Sequence, residues 1–213
     1  MSERKGTIQV QTSDIFPIIK KWLYSEHDIF LRELVANATD AITKRGTFAR
    51  TRNLEIPTGE IQVIVDKKEK QIRIIDNGIG MSEDEVEKYI AHLAFSGAED
   101  FVNKMKESGS DTQDIIGKFG LGFYSSFMVA KEVVIDTLSM DEGAKATRWS
   151  CTGDVDYTFS DSERTEVGTT VTLNLNEESE EFLDRFKVRS TLTNFCDFMP
   201  YAINLRDLEQ EAE

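Results

Sequence analysis

The hydrophobic residues of this chain change their period along its length, and that change limits the folds open to it. In "FLRELVANATDAITKR", residues 30–45, Leu31, Leu34, Val35, Ala38, Ala41 and Ile42 follow a 3.6-residue repeat. From "EIQVIVD" onward apolar and polar residues alternate, which is the period of a half-buried strand. "QIRIIDNG" resumes that alternation after "KKEK", so the two runs predict a hairpin. "EVVIDTLS", "ATRWSCTG", "VDYTFS" and "TTVTLNL" predict further strands, and "IQV" at 8–10 a short edge strand. Helical spacing covers 14–24, the run from Met81 with Ser82 as its cap, "FYSSFMVA", and roughly 177–199, closed by Pro200. Ser25 and Asp28 predict a capping box for the helix at 30–45, and Gly46 its stop. Regularly alternating βαβ units are missing from this order. It predicts an α+β fold: a mostly antiparallel, twisted sheet with helices on one face, in a single domain over 1–213.

Composition narrows the function. Hydrophobic residues make up 39% of the chain and include 13 Phe, enough for a sizeable core. A net charge of -14 argues against a nucleic-acid partner, which clustered Lys and Arg would attract. It leaves room for a phosphate held locally by backbone amides and a metal. Cys151 and Cys196 have neither metal-site spacing nor a disulfide framework, so both are expected buried and reduced. The opening "MSERKGTIQVQ" has no signal-peptide core, and no apolar run approaches the roughly 20 residues of a membrane span. A cytoplasmic protein without a membrane partner is expected.

Three polar features carry the chemistry. Glu33, Asn37, Asp40 and Lys44 fall at i, i+4, i+7 and i+11, within roughly 60° of one another on the first helix. By itself such a stripe is a solvated helix edge. "IDNGIGM", 75–81, runs a strand into Asp76 and then places Gly78 and Gly80 around one residue, as a turn or a ligand loop would. "IGKFGLGFYSS", 116–126, has the pattern G-x-x-G-x-G before an apolar helix, a source of backbone amides for an anion. It is neither a Walker A loop, since Phe119 follows Lys118, nor a Rossmann fingerprint, whose glycine spacing is the reverse. Together, a helix stripe, a strand-end carboxylate and a glycine loop can serve metal, base and triphosphate.

The set "LYSEHDIFLRELVANATDA", "DNGIGMS", "IGKFGLGFYSSFMVA" and "GTTVTLNL" resembles the GHKL class of ATP-binding domains, and within it the heat-shock protein 90 chaperones. The likeness runs from about Phe16 to Leu205 and is to the amino-terminal nucleotide domain, as if excised from a longer, homodimeric chaperone. It implies the two-layer α/β sandwich (Bergerat fold) of that class, ATP or ADP with Mg²⁺ as ligands, and slow ATP hydrolysis coupled to client folding, with possible co-chaperones. Glu33 would be the general base toward water, and Asn37 the Mg²⁺ ligand. Asp76 would accept the adenine amino hydrogen, Gly80 and Met81 would line the base pocket, and Thr169 would support the base through water. Gly117, Phe119, Gly120, Gly122 and Phe123 would turn amides to the phosphates. Asp40 and Lys44 would border the pocket, Lys44 tuning Glu33. Residues 93–122 would form a lid. A nucleotide-sensing module without hydrolysis and a histidine-kinase-type domain are the alternatives, the latter needing a phosphoacceptor among His27 and His92.

The chain departs from the family pattern at Tyr89 and Phe95, where many members carry Asn and Lys, so those roles do not transfer. Lys118 stands where Gln is common and would return positive charge to the phosphates. Lys118→Gln is therefore expected to weaken ATP binding more than adenosine binding in calorimetric titrations. Equal losses for the two ligands would reject that role.

Overall fold

The computed structural model of the chain describes residues 28–92, 122–153 and 156–209. Within them, seven strands form one sheet that is covered on one face by helices. Helix α1, Ile29–Thr51, buries Leu31, Leu34, Val35, Ala38 and Ile42 of the predicted stripe, and Phe30 beside them, while Ala41 is half-buried. It runs through Gly46 rather than stopping there, because Ala49 is still in the core. The stop is Asn53, in the left-handed region with φ 54°, after which the Leu54 amide donates back to the Ala49 carbonyl at 2.9 Å. Ser25 lies outside the described residues. Asp28 makes no side-chain cap; its carboxylate instead receives Lys187 at 3.2 Å and the Thr191 hydroxyl at 3.3 Å.

The hairpin forms as predicted, with β1 at Glu60–Asp66 and β2 at Gln71–Asp76 in antiparallel register. Ser82 and Glu85 make the reciprocal capping box that starts the short α2, Glu83–Val86, which loosens into a π-helical turn at Glu87–His92. "FYSSFMVA" forms a 3₁₀ turn, Gly122–Ser125, and one α turn, α3 at Ser126–Val129, and Ala130 already belongs to the next strand. Strands β3 (Ala130–Leu138), β4 (Thr147–Cys151), β5 (Tyr157–Asp161) and β6 (Gly168–Leu175) follow where alternation placed them.

The carboxy-terminal helical region differs from the expectation of one helix. A 3₁₀ stretch, Glu177–Leu183, gives way to α4, Arg185–Cys196, at Asp184, whose side chain caps the new helix by accepting the Phe186 amide at 2.9 Å. The break separates Phe182, fully buried, from Phe186, 76% exposed, although four residues part them. Strand β7, Ala202–Asp207, was not anticipated; it lies parallel to β1 at the sheet edge. The order is β5-β4-β3-β6-β2-β1-β7, with every pairing antiparallel except β1 with β7.

The core lies between the helices and the inner face of the sheet. Val63, Ile74, Val171, Ile135 and Trp149 form one register row across it, and Val65, Ile72, Leu173, Val133 and Cys151 the next. Each fully buried aliphatic side chain contributes about 1.5–3 kcal/mol. Phe30 of α1 meets Phe182 edge to face at 4.9 Å, fixing the helix layer over the sheet. Cys151 and Cys196 are both buried and form no disulfide, as expected from their spacing.

Candidate functional site

One register row on that inner face is polar. Asp76 of β2 stands opposite Thr169 of β6, Thr169 opposite Thr137 of β3, and Thr137 opposite Thr147 of β4. The strand period of two puts all four side chains on the face that α1 covers, at the end of the sheet. They are buried, with Asp76 6% exposed and Thr137 not at all. The Thr137 and Thr169 hydroxyls are 3.0 Å apart, and Thr137 also receives the Met81 amide at 2.9 Å. The Thr147 hydroxyl oxygen is buried without a partner among the described residues.

The loop after Asp76 is sewn into the fold. The Gly78 amide donates to Asp76 Oδ1 at 2.8 Å. The Ile79 amide donates to the Ala41 carbonyl of α1 at 3.0 Å, and the Met140 amide to the Ile79 carbonyl at 2.9 Å. A Cβ at Gly78 would lie 2.6 Å from Ala41 Cβ, and one at Gly80, where φ is +67°, 1.9 Å from the Leu138 carbonyl oxygen. Both glycines are thus required by the wedging of this loop between α1 and β3. Asn77 anchors the other side, accepting the Glu60 amide at 2.9 Å and donating to the Thr58 carbonyl at 2.7 Å.

Helix α1 sets the spacing along the site. Ala41 holds the Asp76 loop. Two turns earlier, Glu33 lies against Gly122, where a Cβ would approach Glu33 Oε2 to 2.3 Å. Eight residues of helix separate these points, about 12 Å. Asn37 sits midway and exposed, with Asp40 and Lys44 exposed further along. The contacts that space Glu33, Asn37 and the Asp76 carboxylate are therefore backbone and packing contacts of one helix. Glu33 is half-buried and paired with Arg32 at 2.9 Å. Its cation is this neighbour rather than Lys44, which lies eleven residues, about 16 Å of helix rise, away. Phe123 is buried, with its ring edge to face on Trp149 at 5.9 Å. Gly117, Lys118, Phe119, Gly120 and Phe95 lie outside the described residues. Tyr89 is exposed, with the Lys88 ammonium 5.1 Å from its ring centre.

Burial pushes the Asp76 carboxyl up to about 6, against the opposing pull of the Gly78 amide, of Arg164, of the Thr169 backbone and of Arg45. A buried carboxylate perturbed in this way is a functional-site candidate. Two other features contrast with it. A cleft of about 910 Å³ runs between α4 and the β1–β7 edge, but among the described residues Cys196 is the only buried titratable group lining it. No group of three or more His, Cys, Asp or Glu that could hold a metal lies together among the described residues. A metal at Asn37 would then draw its other ligands from phosphate and water, a donor set that suits Mg²⁺.

Comparison with known proteins gives the family of the fold. The family model described as "Histidine kinase-, DNA gyrase B-, and HSP90-like ATPase" matches residues 24–187. The chain belongs to this family. Its seven-stranded, mostly antiparallel sheet with helices on one face is the α/β sandwich of these ATPases. Within the family it is similar to the chaperone protein HtpG of Bacteroides fragilis, 46% identical over 200 residues. It is 45% identical over 202 residues to HtpG of Porphyromonas gingivalis and 39% over 209 residues to that of Geobacter sulfurreducens. These matches cover 94–95% of the chain and 29–32% of the relatives, so the chain spans under a third of their length. Among the described residues no helix is long and apolar enough to cross a membrane.

Sequence reasoning missed Arg32, Arg45, Arg164, Thr137 and Thr147, all of which shape the site. Only the two threonines left a signal, as inward positions of alternating strands. The arginines act across elements that pairing alone brings together.

A raised carboxyl pKa is also a statement about stability. The folded state holds the Asp76 proton more tightly than the unfolded chain, whose ordinary value is 3.8. That contribution is full below pH 3.8 and is lost as pH rises through about 6. Asp76→Asn, which keeps an oxygen for the Gly78 amide, should therefore stabilise the ligand-free domain at pH 8 by roughly 2–3 kcal/mol. Urea unfolding at pH 8 and pH 4 checks this, since the gain should vanish at the lower pH.

Proposed function

We propose that this chain is the nucleotide-binding unit of an HtpG-type chaperone, binding ATP and hydrolysing it slowly to drive the folding of client proteins. The observation that carries the reading is the buried Asp76 carboxylate, set in line with Thr169, Thr137 and Thr147 at one end of a helix face that bears Glu33 two turns away. An exocyclic amino group is the ligand such a carboxylate suits, and it separates adenine from guanine, whose carbonyl would face the same acid. Gly80 and Met81 would flank the base, and Thr169 would reach it through water.

At the other end of the site the chemistry is phosphoryl transfer, which needs placement and charge stabilisation more than covalent help. Glu33 would take the proton of the attacking water, with Arg32 holding its carboxylate at 2.9 Å. The amides at Gly122 and Phe123, with those of Gly117, Phe119 and Gly120, would serve the phosphate oxygens, and Lys118 would add charge. Asn37 would hold Mg²⁺, which supplies neutralising charge to the phosphates when bound. Asp40 and Lys44, exposed on the same helix, would border the entrance. The names of the relatives support a chaperone over a histidine-kinase-type domain, and the base-like Glu33 supports hydrolysis over sensing alone. Client proteins, a homodimer and a cytoplasmic setting belong to the same proposal for the full-length protein.

Calorimetry with ADP and GDP tests the base contact. ADP should bind and GDP should not, and Asp76→Asn should abolish most of the ADP affinity; equal binding of both nucleotides would refute the assignment. Glu33→Ala should lower single-turnover hydrolysis by about 10²–10⁴ while leaving ADP affinity intact. A comparable loss of affinity would remove Glu33 from the role of base.

A further inference from the structure

The Asp76 strand end is gripped from both sides by arginines that belong to other elements. Arg164, in the connection between β5 and β6, donates from Nη2 to the Asp76 carbonyl at 3.2 Å. Its Nη1 donates to the Thr170 hydroxyl at 2.6 Å and its Nε to the Glu166 carbonyl at 2.8 Å. One guanidinium therefore straps β2 to β6 at the polar row. Arg45 of α1 donates from Nη1 to the Asn77 carbonyl at 2.6 Å. The next residue but one is Ile79, whose amide binds the same helix.

The local sequence is shaped for this grip. Gly168 has φ +131°, and a Cβ there would lie 2.2 Å from the Asp76 carbonyl oxygen and 3.0 Å from Arg164 Nη2. Only glycine lets that carbonyl and the guanidinium meet. A planar guanidinium holds its donors in a fixed, wide fork that spans these three acceptors, a geometry the compact ammonium of a lysine does not reproduce.

We propose that Arg164 and Arg45 are positioning residues of the nucleotide site: they clamp the carbonyls of Asp76 and Asn77 and so set the direction and charge of the Asp76 carboxylate that meets the base. The inference rests on Asp76 being the base-reading group. Both arginines bind backbone carbonyls. Each acts through the strand end and through its positive charge, which favours the ionised carboxylate. The charged groups acting on Asp76 from the packed elements are Arg45 from α1 and Arg164 from the β5–β6 connection. β6 offers the Thr169 backbone and the carboxylate's own loop the Gly78 amide. Burial disfavours the Arg164 charge, and Glu166 and Asp136, which face it together with Asp76, favour it.

The test follows the Asp76 carboxyl carbon by NMR across pH 4–8, assigned with Asp76→Asn, and measures ADP affinity by calorimetry at pH 7. Wild type should titrate near 6. Arg164→Met and Arg45→Met should each move that titration up and weaken ADP by about fivefold, the scale of one hydrogen bond. Arg164→Lys, which keeps the charge and loses the fork, should titrate close to wild type and still bind ADP more weakly. Arg73→Met, which breaks a pair with Asp66 at 3.1 Å away from the site, is the control for general destabilisation and should change neither readout. An Asp76 titration and ADP affinity in both methionine variants indistinguishable from wild type would overturn the clamp. If instead the titrations shift as stated while Asp76→Asn binds ADP as tightly as wild type, the base-reading role of Asp76 fails and the clamp loses its purpose. Should Arg164→Met fail to fold, Arg45→Met and Arg164→Lys carry the same decision.

Discussion

A carboxylate buried at the end of a strand, with amides as its closest partners, is the constraint around which this molecule is arranged. Ionising Asp76 in the interior costs stability, and its neighbours only partly offset that cost: the Gly78 amide at 2.8 Å and two arginines bound to adjacent carbonyls. A carboxylate perturbed in this way marks a candidate functional group. The packing around it follows. Gly78 lets α1 approach, Gly80 lets β3 approach, and Gly168 lets Arg164 approach. Three glycines that differ in sequence context thus serve one aim, the immobilisation of a single acid.

Helix α1 converts that local arrangement into a site with length. It packs on the sheet through Leu31, Leu34, Val35, Ala38 and Ile42, and its other edge carries the polar stripe. Because the Asp76 loop is fixed at Ala41 and Gly122 at Glu33, the separation of the Asp76 end from the Glu33 end of the proposed site is a property of helix geometry. The Phe30–Phe182 contact and the Asp28 contacts with Lys187 and Thr191 hold the start of the helix to the carboxy-terminal layer. Displacing the helix by a turn would leave the acid without a partner loop and Glu33 without its glycine.

Much of this could be read from residues alone, because period and composition are local signals. The stripe on α1, the β1–β2 hairpin, the four strands from "EVVIDTLS" to "TTVTLNL" and the Ser82 cap all declare themselves in short windows. The failures came where tertiary contacts override a local rule. Gly46 does not end α1 because Ala49 is needed in the core, and Asp184 splits the last helical region by capping its second half. "AINLRD" does alternate, with Ile203 and Leu205 packed against the core, but its six residues follow a proline and a turn and gain strand identity only beside β1. Of the site, Asp76, Glu33, Asn37 and Thr169 were legible as motif positions. Arg45 and Arg164 were not, since each binds a carbonyl on an element far away in the chain.

The central claim is that a nucleotide lies along α1 with its base on Asp76 and its phosphates toward Glu33. A crystal structure of the chain with ADP and Mg²⁺ tests it directly. The account predicts the adenine amino nitrogen within hydrogen-bond distance of the Asp76 carboxylate and the metal on the Asn37 side-chain oxygen. Nucleotide bound with Asp76 facing the ribose or solvent, or with the phosphates at the Asp40–Lys44 end of the helix, would contradict it.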